Sequence, residues 1–141
     1  MQLLHASVLC AAVVLTACAN THVSGELISE MPPAVNNDNV MVGMSNRLTV
    51  YYSDHDAEGK SHCVSAECLH AWPPVYARAS DRARGDFSIV ERSDGRRQWA
   101  LMGKPLYYSS ADQRPGDVLG EGAEAGVWHV YRVPAGGRGS E

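Results

Sequence analysis

The chain has 141 residues, about one domain's worth, with 16 acidic against 12 basic side chains, 45% hydrophobic residues, four cysteines and a single phenylalanine. A net charge of -4 argues against a nucleic-acid partner held by phosphate contacts, and the length excludes a multi-domain enzyme, a long coiled coil and a polytopic membrane protein. Thirteen of the hydrophobic residues fall in the first 17 positions, which leaves about 40% in the remainder, ordinary for a small globular domain.

Residues 9–17 form an apolar run of nine, too short for a bilayer, which needs about 20 residues, and the right length for the core of a signal peptide. It ends in Leu15-Thr16-Ala17-Cys18, which resembles a bacterial lipobox: a branched apolar residue, two small residues, then the cysteine that is acylated before cleavage. On this reading residues 1–17 are removed after export through the Sec pathway and Cys18 becomes the lipidated first residue. Met1-Gln2-Leu3-Leu4-His5 lacks the Lys or Arg expected ahead of the apolar core. Ala19 in place of Asp after the cysteine is the pattern that favours transfer to the outer membrane in Gram-negative lipoproteins. Residues 18–39, rich in Asn, Ser, Gly and Pro, read as the lipidated cysteine followed by a flexible tether.

The folded domain is expected over residues 40–133. Residues 40–44 and 47–53 read as a hairpin around Ser45-Asn46, and residues 86–92, 97–102 and 105–109 as three strands joined by turns at Ser93-Asp94-Gly95 and Gly103-Lys104. Asp-Gly between alternating runs is the strongest hairpin signal in the chain. One helix is expected over residues 65–72, capped by Ser65 and stopped by Pro73-Pro74. Residues 127–133 are the last strand and 134–141 a disordered tail. The fold class is mainly β, a β-rich α+β domain of antiparallel hairpins with one short helix. An echo between Leu48-Thr-Val-Tyr51-Tyr-Ser-Asp54 and Leu106-Tyr-Tyr108-Ser-Ser-Ala-Asp112 fits either a two-fold internal repeat or chance likeness between two hairpins.

Several blocks carry a family resemblance: Leu48-Thr-Val-Tyr51-Tyr-Ser-Asp54, Gly59-Lys-Ser61-His-Cys63, Cys68-Leu-His-Ala-Trp72-Pro73-Pro74, Asp94-Gly95, Gln98-Trp99, Gly103-Lys-Pro-Leu-Tyr107-Tyr108, Asp112, Pro115-Gly-Asp117 and Gly126-Val-Trp128-His129-Val130. In this order they resemble the bacterial lipoproteins named for a Tyr-x-(Phe/Trp/Tyr)-x-x-Asp motif, also described as a secreted repeat of unknown function. Both copies of the naming motif depart from it: Thr49 stands at the tyrosine position of Thr49-Val-Tyr51-Tyr-Ser-Asp54, and Ser109 at the central aromatic of Tyr107-Tyr-Ser109-Ser-Ala-Asp112. The resemblance implies an envelope lipoprotein of no assigned activity, with Tyr51, Asp54, Trp72, Pro73, Trp99, Tyr107, Asp112, Trp128 and His129 as its motif and core positions.

Four groups of residues bear on chemistry. Cys63 and Cys68 are expected to form a local disulfide in an oxidising compartment; a redox centre would favour the tighter Cys-x-x-Cys spacing. Asp54, His55, Asp56, His62 and His70 offer oxygen and imidazole ligands for Cu, Zn or Ca, although the loop lacks the bidentate Glu of a calcium loop at its twelfth position. The aromatics are core material or, if exposed together, a stacking groove. The loop over residues 112–122 is glycine-rich but does not lead from a strand into a helix, so it is no phosphate loop. No nucleophile, base and orienter occur together, so the expected function is non-enzymatic, with no required cofactor. It is a binding or structural module held to the membrane through Cys18, facing the periplasm or the surface, whose partner is an envelope protein or small ligand. Metal binding by the histidine and aspartate group is the alternative, and thiol redox work a third.

Overall fold

The structure is a computed structural model and describes residues 32–134. The expected signal peptide, Cys18, most of the tether and the tail beyond residue 134 lie outside the described residues. Along the chain come β1 (Ala34–Val35), β2 (Met41–Val42), β3 (Tyr51–Ser53), α1 (Ala66–Ala71), β4 (Phe87–Glu91), β5 (Arg97–Leu101), β6 (Lys104–Pro105), α2 (Ala123–Gly126) and β7 (Trp128–Val130). They pair antiparallel as β1–β2, β3–β7 and β4–β5–β6. The mainly β fold expected from the alternation is the fold observed.

Local chemistry explains most of the boundaries. Gly95 takes a left-handed φ of 79° in the β4–β5 turn, and the Asp94 carboxylate accepts the Arg96 N–H at 3.0 Å, which is why Asp-Gly was a reliable signal. The Ser65 hydroxyl accepts the Cys68 N–H at the start of α1, and the helix stops at Trp72 because a proline follows it. Two features differ from expectation. The β1–β2 pairing, Ala34 with Val42 and Val35 with Met41, reaches back into the stretch read as tether; its turn is made by Asn36, Asn37, Asp38 and Asn39, residues that also mark linkers. A second short helix, α2, appears before the last strand, with Glu124 and Ala125 both left-handed (φ 53° and 58°).

The pairing partners recur 56 residues apart. Tyr51 pairs with Val130 and Tyr107 with Pro74. The Tyr131 N–H donates to Val50 O and the Val75 N–H to Leu106 O, both at 2.9 Å. Asn39, like its counterpart Gly95, is left-handed. α1 and α2 each lead into a tryptophan, Trp72 and Trp128. The chain is therefore a duplicated unit whose copies exchange strands, since β3 of the first copy pairs with β7 of the second. The hairpins differ in length, with five residue pairs in β4–β5 against two in β1–β2.

This settles the register of the echo and corrects it by two residues. The structural copies are Val50-Tyr51-Tyr52-Ser53-x-x-Asp56 and Leu106-Tyr107-Tyr108-Ser109-x-x-Asp112, so Asp56, not Asp54, corresponds to Asp112. The reason is a reciprocal contact. The Tyr51 hydroxyl donates to Asp112 and the Tyr107 hydroxyl to Asp56, each at 2.7 Å. Tyr51 and Tyr107 face each other across an antiparallel bridge whose two N–H···O bonds are 2.8 and 2.9 Å.

The core sits on this exchange. Trp72 and Trp128 stack at 3.9 Å with 9° between their planes, and each meets a tyrosine edge-on, Trp72 with Tyr51 and Trp128 with Tyr107. Val40, Val42, Cys63 and Val130 complete this cluster. A second cluster, with Met41, Val50, Val75, Trp99, Leu106 and Tyr108, backs the β4–β5–β6 sheet. Gly120 closes the loop over the stack: a Cβ there would come within 2.8 Å of the Trp72 ring.

Candidate functional site

Two of the residues proposed as metal ligands meet, with Asp56 Oδ1 3.8 Å from His62 Nδ1, and Asp54 is drawn elsewhere. Asp54 reaches across to His129, with 2.8 Å between Oδ2 and Nε2. Asp56 accepts the His62 N–H at 2.8 Å and the Tyr107 hydroxyl at 2.7 Å. His55 and His70 are exposed, His70 in the last turn of α1. Among the described residues no three His, Cys, Asp or Glu side chains gather where an ion could be held. Cys63 and Cys68 form a disulfide. Cys63 is buried and its carbonyl oxygen accepts a hydrogen bond from Arg92 at 2.7 Å, an arrangement suited to stapling α1 to the core. A loop this short contributes about 2 kcal/mol in the chain-entropy account.

The motif aromatics are interior. Tyr51, Tyr107, Tyr108, Trp72, Trp99 and Trp128 are each at most 5% exposed, so they form the core and no open stacking groove. Burial first, and the facing Asp112, push the Tyr51 hydroxyl well above its ordinary pKa; burial and the Asp56 charge do the same for Tyr107. Both act as neutral donors. Burial also raises the Asp56 carboxyl, against the opposing hydrogen bonds from His62 and Tyr107. A raised folded-state pKa means that the folded protein holds this proton more tightly than the unfolded chain. Asp56 therefore costs stability once pH passes the ordinary carboxylate range, and the cost is complete above its folded pKa. We expect Asp56→Asn to gain stability relative to the parent as pH rises through that window and then level off, read by urea midpoints between pH 3 and 7. A difference that shrinks over the same window would contradict the assignment.

Sequence reasoning missed a buried polar network around Arg92. Its side chain is fully buried, and the guanidinium donates to Ser61 Oγ (2.8 Å), Gln98 Oε1 (2.7 Å), Cys63 O (2.7 Å) and Asp94 Oδ2 (3.1 Å). It ties the β4–β5 hairpin to the disulfide loop. The structural counterpart of Arg92 is Asn36, which only closes its own turn, so nothing in the repeat pattern announced it.

Sequence reasoning also missed a groove of about 1000 Å³. Phe87, Leu101, Met41 and Tyr131 are among its apolar lining residues, and Met44 and Met102 line it while remaining exposed, Met102 by 72%. A polar cluster that also lines it is built on β3 and β7. The His129 ring is held between Asp54 on Nε2 and Glu121 on Nδ1 (3.7 Å). The Asp54 hydrogen bond orients the ring, and because the two carboxylates lie on opposite ring nitrogens they do not converge with it on one ion. Tyr52 packs beside His129 at 5.3 Å, meets Tyr131 edge-on at 5.6 Å and carries the Lys104 ammonium 4.4 Å above its ring.

The groove lies where the two copies diverge. The counterpart of the Tyr52–His129 pair is Tyr108–Pro73, bonded from Tyr108 N–H to Pro73 O at 2.8 Å. Tyr108 is 1% exposed, with its hydroxyl packed against Gly43, where any Cβ would collide with it. The positions of Lys104 and Glu121 are Leu48 and Ser65 in the first copy. Comparing the copies in the right register would have pointed to Lys104, Glu121 and His129 from sequence alone.

Residues 88–131 match a family model described as a secreted repeat of unknown function. The matched segment is one copy of the duplicated unit, and the same span 56 residues earlier is residues 32–75, where the described structure begins. The match supports the family resemblance and an exported protein. No curated protein and no solved structure matches the chain.

Proposed function

We propose that this chain is an envelope lipoprotein, anchored through Cys18 in the outer membrane, and that its folded part is a non-enzymatic binding module working through the groove beside His129. The observation that carries the binding role is the position of the groove. Two copies of one unit share a core and differ where an open, mostly apolar cleft meets a set of oriented polar groups, the combination that small-ligand sites display. The anchor rests on the lipobox-like Leu15-Thr16-Ala17-Cys18, on the match to a secreted family and on a disulfide suited to an oxidising compartment. Two or more acyl chains would hold the protein durably, since each buried methylene contributes about 0.8 kcal/mol.

Each half has its own test. With the native leader, the protein should sediment with membranes and show the mass of an acylated Cys18. With residues 1–18 exchanged for a leader ending in an Ala-x-Ala site, it should appear in the soluble periplasmic fraction. An unacylated mature chain made with the native leader would defeat the anchor. For the groove, the soluble form should bind the neutral dye Nile red saturably, and Met102→Asp should weaken it about tenfold, equivalent to about 1.4 kcal/mol. Dye binding that is absent or unchanged in the variant would defeat the binding role.

A further inference from the structure

We infer that the groove accepts a single acyl chain bearing an anionic headgroup, taken up as a monomer; this rests on the groove being a binding site. The cleft, of about 1000 Å³, offers a mostly apolar lining to an alkyl chain, and its methionines, Met41, Met44 and Met102, suit a ligand without fixed shape because their unbranched side chains adapt to it. The charge around it is specific. Arg84, Lys104 and Arg132 line the cleft, and none of them forms an ion pair with a carboxylate among the described residues. The acidic side chains there are Glu121, which accepts the Val130 N–H (2.6 Å), and the exposed Asp86, so cations outnumber carboxylates three to two on the lining. An acidic protein thus sets three cations that form no ion pair among the described residues around an apolar groove. Lys104 is the best placed of them, held over the Tyr52 ring, which itself packs beside His129. A headgroup anion there would complete the cation's coordination while the tail follows the cleft past Leu101 and Phe87.

The test uses the soluble mature chain, with dodecanoate and its uncharged glycerol monoester as probes below their aggregation concentrations, followed by displacement of Nile red. Dodecanoate should bind with one equivalent and at least tenfold more tightly than the monoester. Lys104→Glu should remove most of that preference and Lys104→Arg should retain it, with Arg132→Gln as a second, milder loss. Equal affinity for the two amphiphiles would overturn the anionic class while leaving the groove as a binding site. An undiminished preference in Lys104→Glu would overturn the assigned headgroup contact. Adhesion to phosphatidylglycerol vesicles without binding of monomeric dodecanoate would overturn the proposal in favour of a membrane-docking face. Failure of Nile red itself to bind would bring down the groove, and this proposal with it.

Discussion

Arg92→Met is expected to destabilise the folded domain by about 2 to 6 kcal/mol, the cost of stranding two buried acceptors. The substitution fills the volume but leaves Gln98 Oε1 and Cys63 O, both hydrogen-bonded to Arg92 in the parent, with no donor in its place. A buried acceptor left unsatisfied costs about 1 to 3 kcal/mol, and Gln98 is 0% exposed. The Asp94 carboxylate reaches solvent and is the smaller loss. Against a total of about 5 to 15 kcal/mol for a domain, the variant should unfold at far lower urea or fail to accumulate. Asn36→Ala, at the corresponding place in the first copy, removes acceptors only from its own turn and should cost about 1 kcal/mol, the size of a single net hydrogen bond. Equal effects of the two substitutions would show that the network around Arg92 does not hold the hairpin to the disulfide loop.

Trp72→Ala and Trp128→Ala should each cost about 3 to 5 kcal/mol, as deletion of a buried indole does, and their effects should not add. The rings stack on one another at 3.9 Å, so each deletion already removes the other's partner; the double variant should fall short of the sum by about 0.5 to 1.5 kcal/mol. Phenylalanine variants keep the measurement accessible if the alanine forms do not fold. They also separate the copies. The Trp72 indole N–H donates to Glu124 at 3.2 Å, whereas the Trp128 indole nitrogen has no partner among the described residues. Trp72→Phe should therefore cost about 1 kcal/mol more than Trp128→Phe, the net value of a hydrogen bond. Strict additivity in chemical denaturation would contradict a core shared between exchanged halves.

The residues whose local chemistry is self-contained were legible. The Asp94-Gly95 turn, the Ser65 cap with its proline stop and the Cys63–Cys68 staple all follow from short-range rules, and the structure places them as expected. The hairpin at residues 34–42 was missed because asparagines serve equally as tether and as turn, and only long-range pairing decides between them. α2 was missed because a turn with two left-handed non-glycine residues violates local preference and is held by its tertiary surroundings, among them Trp72. The echo was visible, but its register depended on which aspartate accepts the tyrosine hydroxyls, and Asp54 and Asp56 are indistinguishable by spacing alone. That two-residue slip concealed the groove. With Asp54 as the motif residue, its contact with His129 on the distant β7 strand has no place in the motif, and the histidine reads as a core position.

The central claim is that ligands are taken at the face where the copies diverge. Backbone amide shifts of the soluble mature chain, followed as dodecanoate is titrated in, test it most directly. The expected result is saturable perturbation at Phe87, Leu101, Met102, Lys104 and His129, with Leu48 and Tyr108 unmoved. Perturbation spread evenly over residues inside and outside the groove, or centred on the Cys63–Cys68 loop, would contradict it.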